Sequence, residues 1–454
     1  MARYTDYYFI GIGGIGMSAI ARYFNNAGYR VSGYDRTPSP LTAQLEKEGI
    51  SIHYDEDVSA VPQDVESTFV IYTPAIPADM AELVYVQEKG YAICKRSRAL
   101  GEIARGQETL AVAGTHGKTS TSTLLAHMLT SSGEGCNAFL GGISKNYGTN
   151  LLLSRNKVLV AEADEFDRSF LQLWPDIAVV TATDADHLDI YNDRGHMLEA
   201  FGQFASQIKG DGALIVKHGV ELPTEKVTAR KYVYSYDIPC DFYASDIRAT
   251  EKGRFSFTFN FPQGKAEGFT VGIPGWVNVE NAVAASAAAW LHGTPIEEIR
   301  KALASFCGVR RRFDIHIDTP KIAYVDDYAH HPNEIKAAIS SIRDIFPSRR
   351  ICGIFQPHLF TRTRDFANQF AEALSGLDEL IMLPIYPARE LPIEGVRSEI
   401  ILDAVTIADK VIVDKGELME TIASRDIDVL VTFGAGDIDR FIGPIEEHLR
   451  SRLA

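Results

Sequence analysis

Gly114-Thr115-His116-Gly117-Lys118-Thr119 holds the residue types that a nucleoside triphosphate needs, in the order it needs them. Two glycines let backbone N–H groups turn inward onto phosphate oxygens, and a helix start behind them adds partial positive charge. Lys118 brings a mobile full charge and the Thr119 hydroxyl is a ligand for Mg²⁺, with Ser120 completing the loop. The apolar run at 110–113 predicts a buried strand ahead of this loop. Leu124, Leu125, Met128 and Leu129 share one face of a predicted helix behind it. Val112 stands where the strict pattern has a further glycine, so this is a shortened P-loop.

Other clusters sit in comparable places. Gly11-Ile12-Gly13-Gly14-Ile15-Gly16, followed by Met17, matches GxGxxG between a strand and a helix, and Asp35 ends the next strand. Alone, this reads as a dinucleotide fingerprint with Asp35 on a ribose hydroxyl; the spacing itself reports only a phosphate-bearing ligand on a helix N-terminus. Glu162-Ala163-Asp164-Glu165 follows the predicted strand 157–161, where an oxygen ligand for Mg²⁺ is needed beside a P-loop. Asp184-Ala185-Asp186-His187 follows 177–181 and reaches the same rim, so His187 is either a second metal ligand or a structural histidine. Asn278 suits a helix cap, whereas Asn281, a turn further in, is placed to reach the nucleotide. Arg310-Arg311-Arg312 is a solvated charge run or holds one phosphate clamp. Asp326-Asp327-Tyr328-Ala329-His330-His331-Pro332 and Gln356-Pro357-His358-Leu359-Phe360-Thr361-Arg362 follow predicted strands at 322–325 and 351–355. Together they define a crevice at the carboxyl edge of a third sheet.

These clusters must be positioned by alternating strands and helices, which implies parallel α/β sheets. Strands are predicted at 7–10, 30–34 and 68–72, and a new unit begins after 107. The segment 232–271 alternates aromatic and polar residues, an antiparallel signal inside that second unit, and 278–291 is an alanine-rich helix. A third alternating unit starts near 314. The organisation expected is therefore 1–107, 108–313 and 314–454: a Rossmann-like domain, a P-loop domain with a parallel sheet plus a small antiparallel one, and a second Rossmann-like domain. Length agrees, since 454 residues suit about three domains. A net charge of −15 argues against a nucleic-acid partner, and no apolar run reaches the ~18 residues that span a membrane. Five scattered cysteines without a CxxC suit reduced thiols in a cytoplasmic enzyme, and the first residues run into a strand with no signal peptide expected.

In this order the motifs resemble the Mur ligases of bacterial cell-wall synthesis, over nearly the whole chain. The resemblance rests on GIGGIGMS (11–18), GTHGKT (114–119), EADE (162–165), DADH (184–187), NVEN (278–281), RRF (311–313), DDYAHHP (326–332) and FQPHLFTRTR (355–364). It implies a UDP-sugar domain, a central ATPase and a C-terminal domain for nucleotide and amino acid. It also implies that Gly13, Gly14, Ile15, Gly16, Met17 and Asp35 bind the UDP sugar, the glycine loop holding its diphosphate, and not a dinucleotide. Gly114 to Ser120, with Thr115, His116 and Lys118, contact ATP phosphates, and Thr119, Glu162 and His187 surround Mg²⁺ or Mn²⁺. Asn281 and Arg312 contact the nucleotide and Asp327 its ribose, while His330, His358 and Arg362 lie near the incoming amino acid. Two features qualify the fit. Val277 stands where many relatives carry histidine, and 188–206 lacks the lysine that several sister ligases carbamylate, as the alanine-adding branch would lead one to expect.

The reaction implied joins L-alanine to UDP-N-acetylmuramate with ATP, through an acyl phosphate, in a cytoplasmic monomer or homodimer. His330 and His358 are both candidates to take the amine proton, and the sequence does not choose between them. The nearest alternative joins a ready-made murein peptide to the same UDP sugar. An NAD-dependent oxidoreductase with an accessory ATP site, or a P-loop regulatory module without chemistry, are alternatives from other classes.

Overall fold

In the computed structural model, residues 4–184, 188–191, 193–388 and 390–453 are described, apart from the side chains of Leu188, Asp189 and Lys252. The chain divides into two compact units. One holds 1–248, 256–272 and 279–307; the other holds 249–255, 273–278 and 308–454.

The first unit carries two sheets. Five parallel strands, β1 (Asp6–Ile10), β2 (Arg30–Tyr34), β3 (Ser51–His53), β4 (Thr68–Tyr72) and β5 (Ala92–Lys95), stand in the order β3-β2-β1-β4-β5. The apolar runs of the central strands β1 and β4 are buried on both faces, as parallel strands covered by helices must be, while the edge strands β3 and β5 are partly exposed. The second sheet has ten strands: β6 (Glu108–Ala113), β7 (Asn137–Phe139), β8 (Leu151–Leu152), β9 (Val158–Ala163), β10 (Ile177–Val180), β11 (Ala213–Lys217), β12 (Arg230–Ser235), β13 (Phe242–Ala249), β14 (Phe255–Phe261) and β15 (Gly264–Thr270). Their order is β15-β14-β13-β12-β11-β10-β6-β9-β7-β8. The antiparallel signal resolves into the β14–β15 hairpin, which extends the edge of this sheet, whereas β12 pairs parallel with β11 and β13. At that edge β15 exposes Gly264, Lys265, Glu267 and Gly268.

One carboxylate expected just past its strand lies inside it. β9 runs on through Glu162, which pairs with Val112. The helix Lys118–Ser131 also departs from the one-faced pattern. Thr121, Ser122 and Thr123 are as buried as the leucines, because the sheet and the helix Ile296–Ser305 both pack on it.

The second unit is built on six strands: β16 (Asp314–Asp318), β17 (Ala323–Asp327), β18 (Ile351–Phe355), β19 (Glu379–Met382), β20 (Asp409–Ile412) and β21 (Val429–Phe433), in the order β16-β17-β21-β18-β19-β20. Only β16 is antiparallel to its neighbour. Here too the strand outruns the expectation, since Asp326 and Asp327 pair with Thr432 and Phe433 of β21. All five cysteines are free; burial pushes the Cys136 and Cys352 thiols up to about 12, which leaves them unreactive.

Gly33 shows how closely the first sheet is built. A Cβ there would come 2.4 Å from the Phe9 carbonyl oxygen of β1, and a backbone atom cannot swing aside. Gly33→Ala is therefore expected to lower stability by about 1–3 kcal/mol. Gly416→Ala, with nothing within 4 Å, serves as the neutral control. Differential scanning calorimetry of both variants checks the difference; equal transition temperatures would refute it.

Candidate functional site

β6 ends at Ala113, and the chain turns at once through Gly114, at φ +134°, and Gly117, at φ +79°. Side chains rarely adopt these conformations, so the glycines set the path of the loop. A Cβ on Gly114 would also lie 2.1 Å from the Thr181 hydroxyl. That hydroxyl, just past β10, donates to the carbonyls of Ala113 and His116 and staples the loop to the sheet. Thr115 is held from the same side, by its N–H on the Ala182 carbonyl and its hydroxyl under the Asp184 N–H. The His116 ring faces the Asp184 carboxylate at 3.3 Å. Thr121 reaches the Asn281 amide at 3.3 Å, and the same amide oxygen would sit 3.0 Å from a Cβ on Gly117. Asn281 therefore lies against the P-loop. Asn278 bonds back to the Pro274 carbonyl at 2.6 Å, so it braces its own turn instead of capping the helix.

Lys118 is less free than its sequence position suggests. Its ammonium donates to the Gly114 carbonyl at 2.6 Å and lies 2.7 Å from the Glu165 carboxylate, itself 1% exposed. Burial alone pulls its pKa down, but the carboxylates of Glu165, Glu162 and Asp164 outweigh that and hold it above the usual lysine value. The lysine is therefore charged at neutral pH. Glu165 is fixed in turn, because its carbonyl accepts from the Tyr191 hydroxyl and the Arg168 N–H.

Glu162 points at Gly141, where a Cβ would stand 2.1 Å from Oε2. That oxygen is buried and has no hydrogen-bond donor among the described residues. A buried anionic oxygen without a donor is costly unless a cation satisfies it. With the buried Thr119 in the first turn of the adjacent helix, the donor set is the hard-oxygen kind that suits Mg²⁺. His187, like Ala185 and Asp186, lies outside the described residues.

In the five-stranded sheet, the loop after β1 leads into the helix Ile15–Asn26. Asp35, just past β2, accepts the Gly13 N–H at 2.7 Å and the Thr37 N–H at 3.1 Å, so it shapes the glycine loop directly. Arg96, which spacing gave no reason to single out, lies against Gly16. A Cβ there would fall 2.6 Å from its guanidinium, which also pairs with Asp164 at 2.9 Å.

The second unit gathers the remaining residues at the carboxyl ends of β17, β18 and β21. Asp327 accepts the N–H groups of Phe313 and Ala329 at 3.1 and 2.8 Å. Burial pushes it up to about 7, against the pull of Arg312. Arg311 and Arg312 both lie over the Tyr328 ring, and Arg311 also reaches Asp326 and the Gly434 carbonyl. Of the run, Arg311 is thus structural and Arg312 is placed beside Asp327. The His330 and His358 rings are edge-on at 5.9 Å, and His358 stacks on Tyr386. His330 bonds the Tyr328 carbonyl through Nδ1, which leaves Nε2 as its basic nitrogen. Arg362, expected at a strand tip, sits in the first turn of the helix Phe360–Leu374 and is 6% exposed.

Family models match in order along the chain. The Mur ligase family catalytic domain covers 6–108, the Mur ligase middle domain 112–289, and the Mur ligase glutamate ligase domain 311–436. UDP-N-acetylmuramate–L-alanine ligase of Porphyromonas gingivalis is 50% identical over 98% of this chain and 99% of its own. The enzyme of the same name from Parabacteroides distasonis is 49% identical over 99% and 98%. Among solved structures, UDP-N-acetylmuramate-alanine ligase MurC of Thermotoga maritima matches with a TM-score of 0.84 at 27% identity, over 98% of this chain and 99% of that one. A murein peptide ligase of Psychrobacter arcticus shares the fold at 22% identity, with a TM-score of 0.73 over 97% and 98%. The matched segments together span nearly the whole chain, and the chain belongs to the Mur ligase family.

Proposed function

We propose that this protein joins L-alanine to the lactyl carboxylate of UDP-N-acetylmuramate, at the expense of ATP, in the cytoplasmic assembly of a peptidoglycan precursor. The observation that carries this reading is half-identity, over the whole chain, to relatives of that name. The murein-peptide alternative draws on structural neighbours at 22% and 25% identity.

A carboxylate is a poor acyl donor, because its leaving group would be oxide. Attack of a lactyl carboxylate oxygen on the γ-phosphorus of ATP expels ADP and gives an acyl phosphate. The alanine amine adds to the acyl carbon, the tetrahedral intermediate collapses, inorganic phosphate leaves and the amine proton passes to a base. Lys118 neutralises charge on the transferred phosphoryl oxygens, assisted by the N–H groups of the 114–120 loop. Glu165 keeps that lysine charged and aimed until phosphate oxygens replace it as partner. Thr119 and Glu162, and by resemblance His187, hold Mg²⁺, which supplies further positive charge to the phosphates when bound. Gly13 to Met17 receive the UDP diphosphate, and Asp35, which accepts the Gly13 N–H, holds that loop in shape for the sugar nucleotide. Asn281, Arg312 and Asp327 serve the nucleotide. Arg362 binds the carboxylate of alanine. His330 or His358 takes the proton through its basic nitrogen.

The direct test is phosphate release from ATP with UDP-N-acetylmuramate and single amino acids, with the product identified by mass spectrometry. Alanine is expected to give the ligated product; turnover with a tripeptide and none with alanine would overturn the reading.

Lys118→Ala is expected to lose stability, since it leaves Glu165 buried without its partner, and in its folded fraction to lose roughly 10²–10³-fold or more in kcat. Near-normal phosphate release from the folded variant would remove Lys118 from the reaction. Glu162→Gln keeps the shape and loses the charge, so it should raise the Mg²⁺ concentration for half-maximal rate and leave the KM for alanine unchanged. An unaltered Mg²⁺ titration would count against it as a ligand.

Asp327 gives a pH signature. Its folded pKa of about 7 lies above the free carboxylate value, so the protonated form is favoured below pH 7 and the acceptor emerges only above it. The KM for ATP should fall as pH rises from about 6 to 8, and Asp327→Asn should flatten that change. The same slope in wild type and variant would assign the titration elsewhere.

A further inference from the structure

A polar pin inside the first unit connects the turn that follows the first glycine loop to the segment packed against Glu162. Asn150 precedes β8 in the ten-stranded sheet and is 0% exposed. Its amide N–H group donates to the Ile15 carbonyl at 2.6 Å and to the Ser18 hydroxyl at 3.0 Å, both in the first turn of the helix that follows the Gly11–Gly14 loop. Its oxygen accepts from Arg22 at 2.5 Å. Arg22 is 5% exposed, and its other two nitrogens are fixed on Glu48 at 2.7 and 2.9 Å. The backbone continues the connection. The Asn150 carbonyl accepts the Leu140 N–H at 3.0 Å, and the next residue, Gly141, is the one packed against the Glu162 carboxylate.

The contact does not need this pin for adhesion. Tyr23 already meets Phe139 across the same boundary, with ring centroids at 5.7 Å, and one apolar cluster runs through both sheets. Apolar packing is not directional, whereas a fully satisfied buried amide accepts only one register. Two further ion pairs cross nearby, Lys95 with Asp167 and Arg96 with Asp164, but they are partly exposed and open to screening by salt.

We infer that Asn150 is a positioning residue for the ligation: it fixes the first turn of the Ile15–Asn26 helix, and with it the sugar-nucleotide loop, relative to Glu162 and the ATP loop. This rests on the reading that the Gly11–Gly14 loop receives the UDP diphosphate. Loss of the pin leaves each loop intact and lets their spacing drift. A shift of about 1 Å between reacting groups is enough to cost up to about 10²-fold in rate.

The test uses the full chain with three substitutions. Asn150→Asp keeps the shape and the Arg22 partner but cannot donate to Ile15; Asn150→Ala removes the pin; Ser18→Ala removes the bond from Asn150 and the hydroxyl's own bond to the Ile15 carbonyl, keeps the Asn150–Ile15 bond and favours the helix. For Asn150→Asp and Asn150→Ala, kcat should fall about 10- to 100-fold and the KM for UDP-N-acetylmuramate should rise. The dissociation constant of a fluorescent ATP analogue should stay at the wild-type value. Ser18→Ala should show the same pattern at about threefold, and it decides the matter if Asn150→Ala does not fold. Wild-type kinetics in Asn150→Asp would overturn the inference. So would losses that follow the folded fraction alike for sugar nucleotide and ATP analogue. Failure of the wild-type chain to ligate alanine would instead overturn the proposed function, which the same assay reads separately.

Discussion

An ammonium with almost no water around it needs an anion, and the pair Lys118–Glu165 is the constraint on which the 114–119 loop depends. Glu165 is inaccessible, so the charge it supplies is little screened. Leaving either partner alone in that position would be expensive. The surrounding elements therefore serve the pair. Tyr191 locks the Glu165 backbone, Thr181 holds the loop carbonyls, and two glycines at positive φ bring Lys118 back over Gly114. A site built this way carries its charge in advance, so under the proposed function little reorganisation is needed when phosphate oxygens take the place of Glu165.

The second unit treats charge in the opposite way. Asp326 and Asp327 are buried at the end of β17, and burial raises both, with Arg311 and Arg312 pulling against it. Arg311 is consumed by structure, bonded to Asp326 and to the Gly434 carbonyl and stacked on Tyr328. Adjacent identical residues thus have different tasks, because Arg311 at φ +63° turns the chain so that only its neighbour faces Asp327.

The longer buried strands were legible where their apolar runs are bounded by glycine or charge; β2, β4 and β18 fall where the pattern places them, whereas short strands such as β3, β7 and β8 gave no such run. The ends of β9 and β17 were not legible. A carboxylate in an apolar run reads as the start of a loop, yet Glu162 and Asp327 keep their ladder partners on neighbouring strands. The helix Lys118–Ser131 read as one-faced because its threonines and serine look like a wet side, although the helix Ile296–Ser305 covers it. Motifs carried Lys118, Glu162, Asn281 and Asp327. Nothing in spacing pointed to Arg96, Thr181 or Asn150, whose importance comes from partners 68 to 135 positions away. Glu165 had a signal, since it closes the same four-residue acidic motif as Glu162.

The open edge at β15 bears on how such a wide sheet survives its own synthesis. An unpaired strand presents a row of free amides and carbonyls, a template on which a second molecule can continue the ladder. Here that row is broken by Gly264 and Gly268 and flanked by the outward charges of Lys265 and Glu267. Two glycines weaken the strand as a partner, and the charges make a stacked copy repel or demand exact pairing. Ten strands can therefore end in solvent without recruiting an eleventh, so colloidal stability at high concentration is written into a hairpin remote from the P-loop.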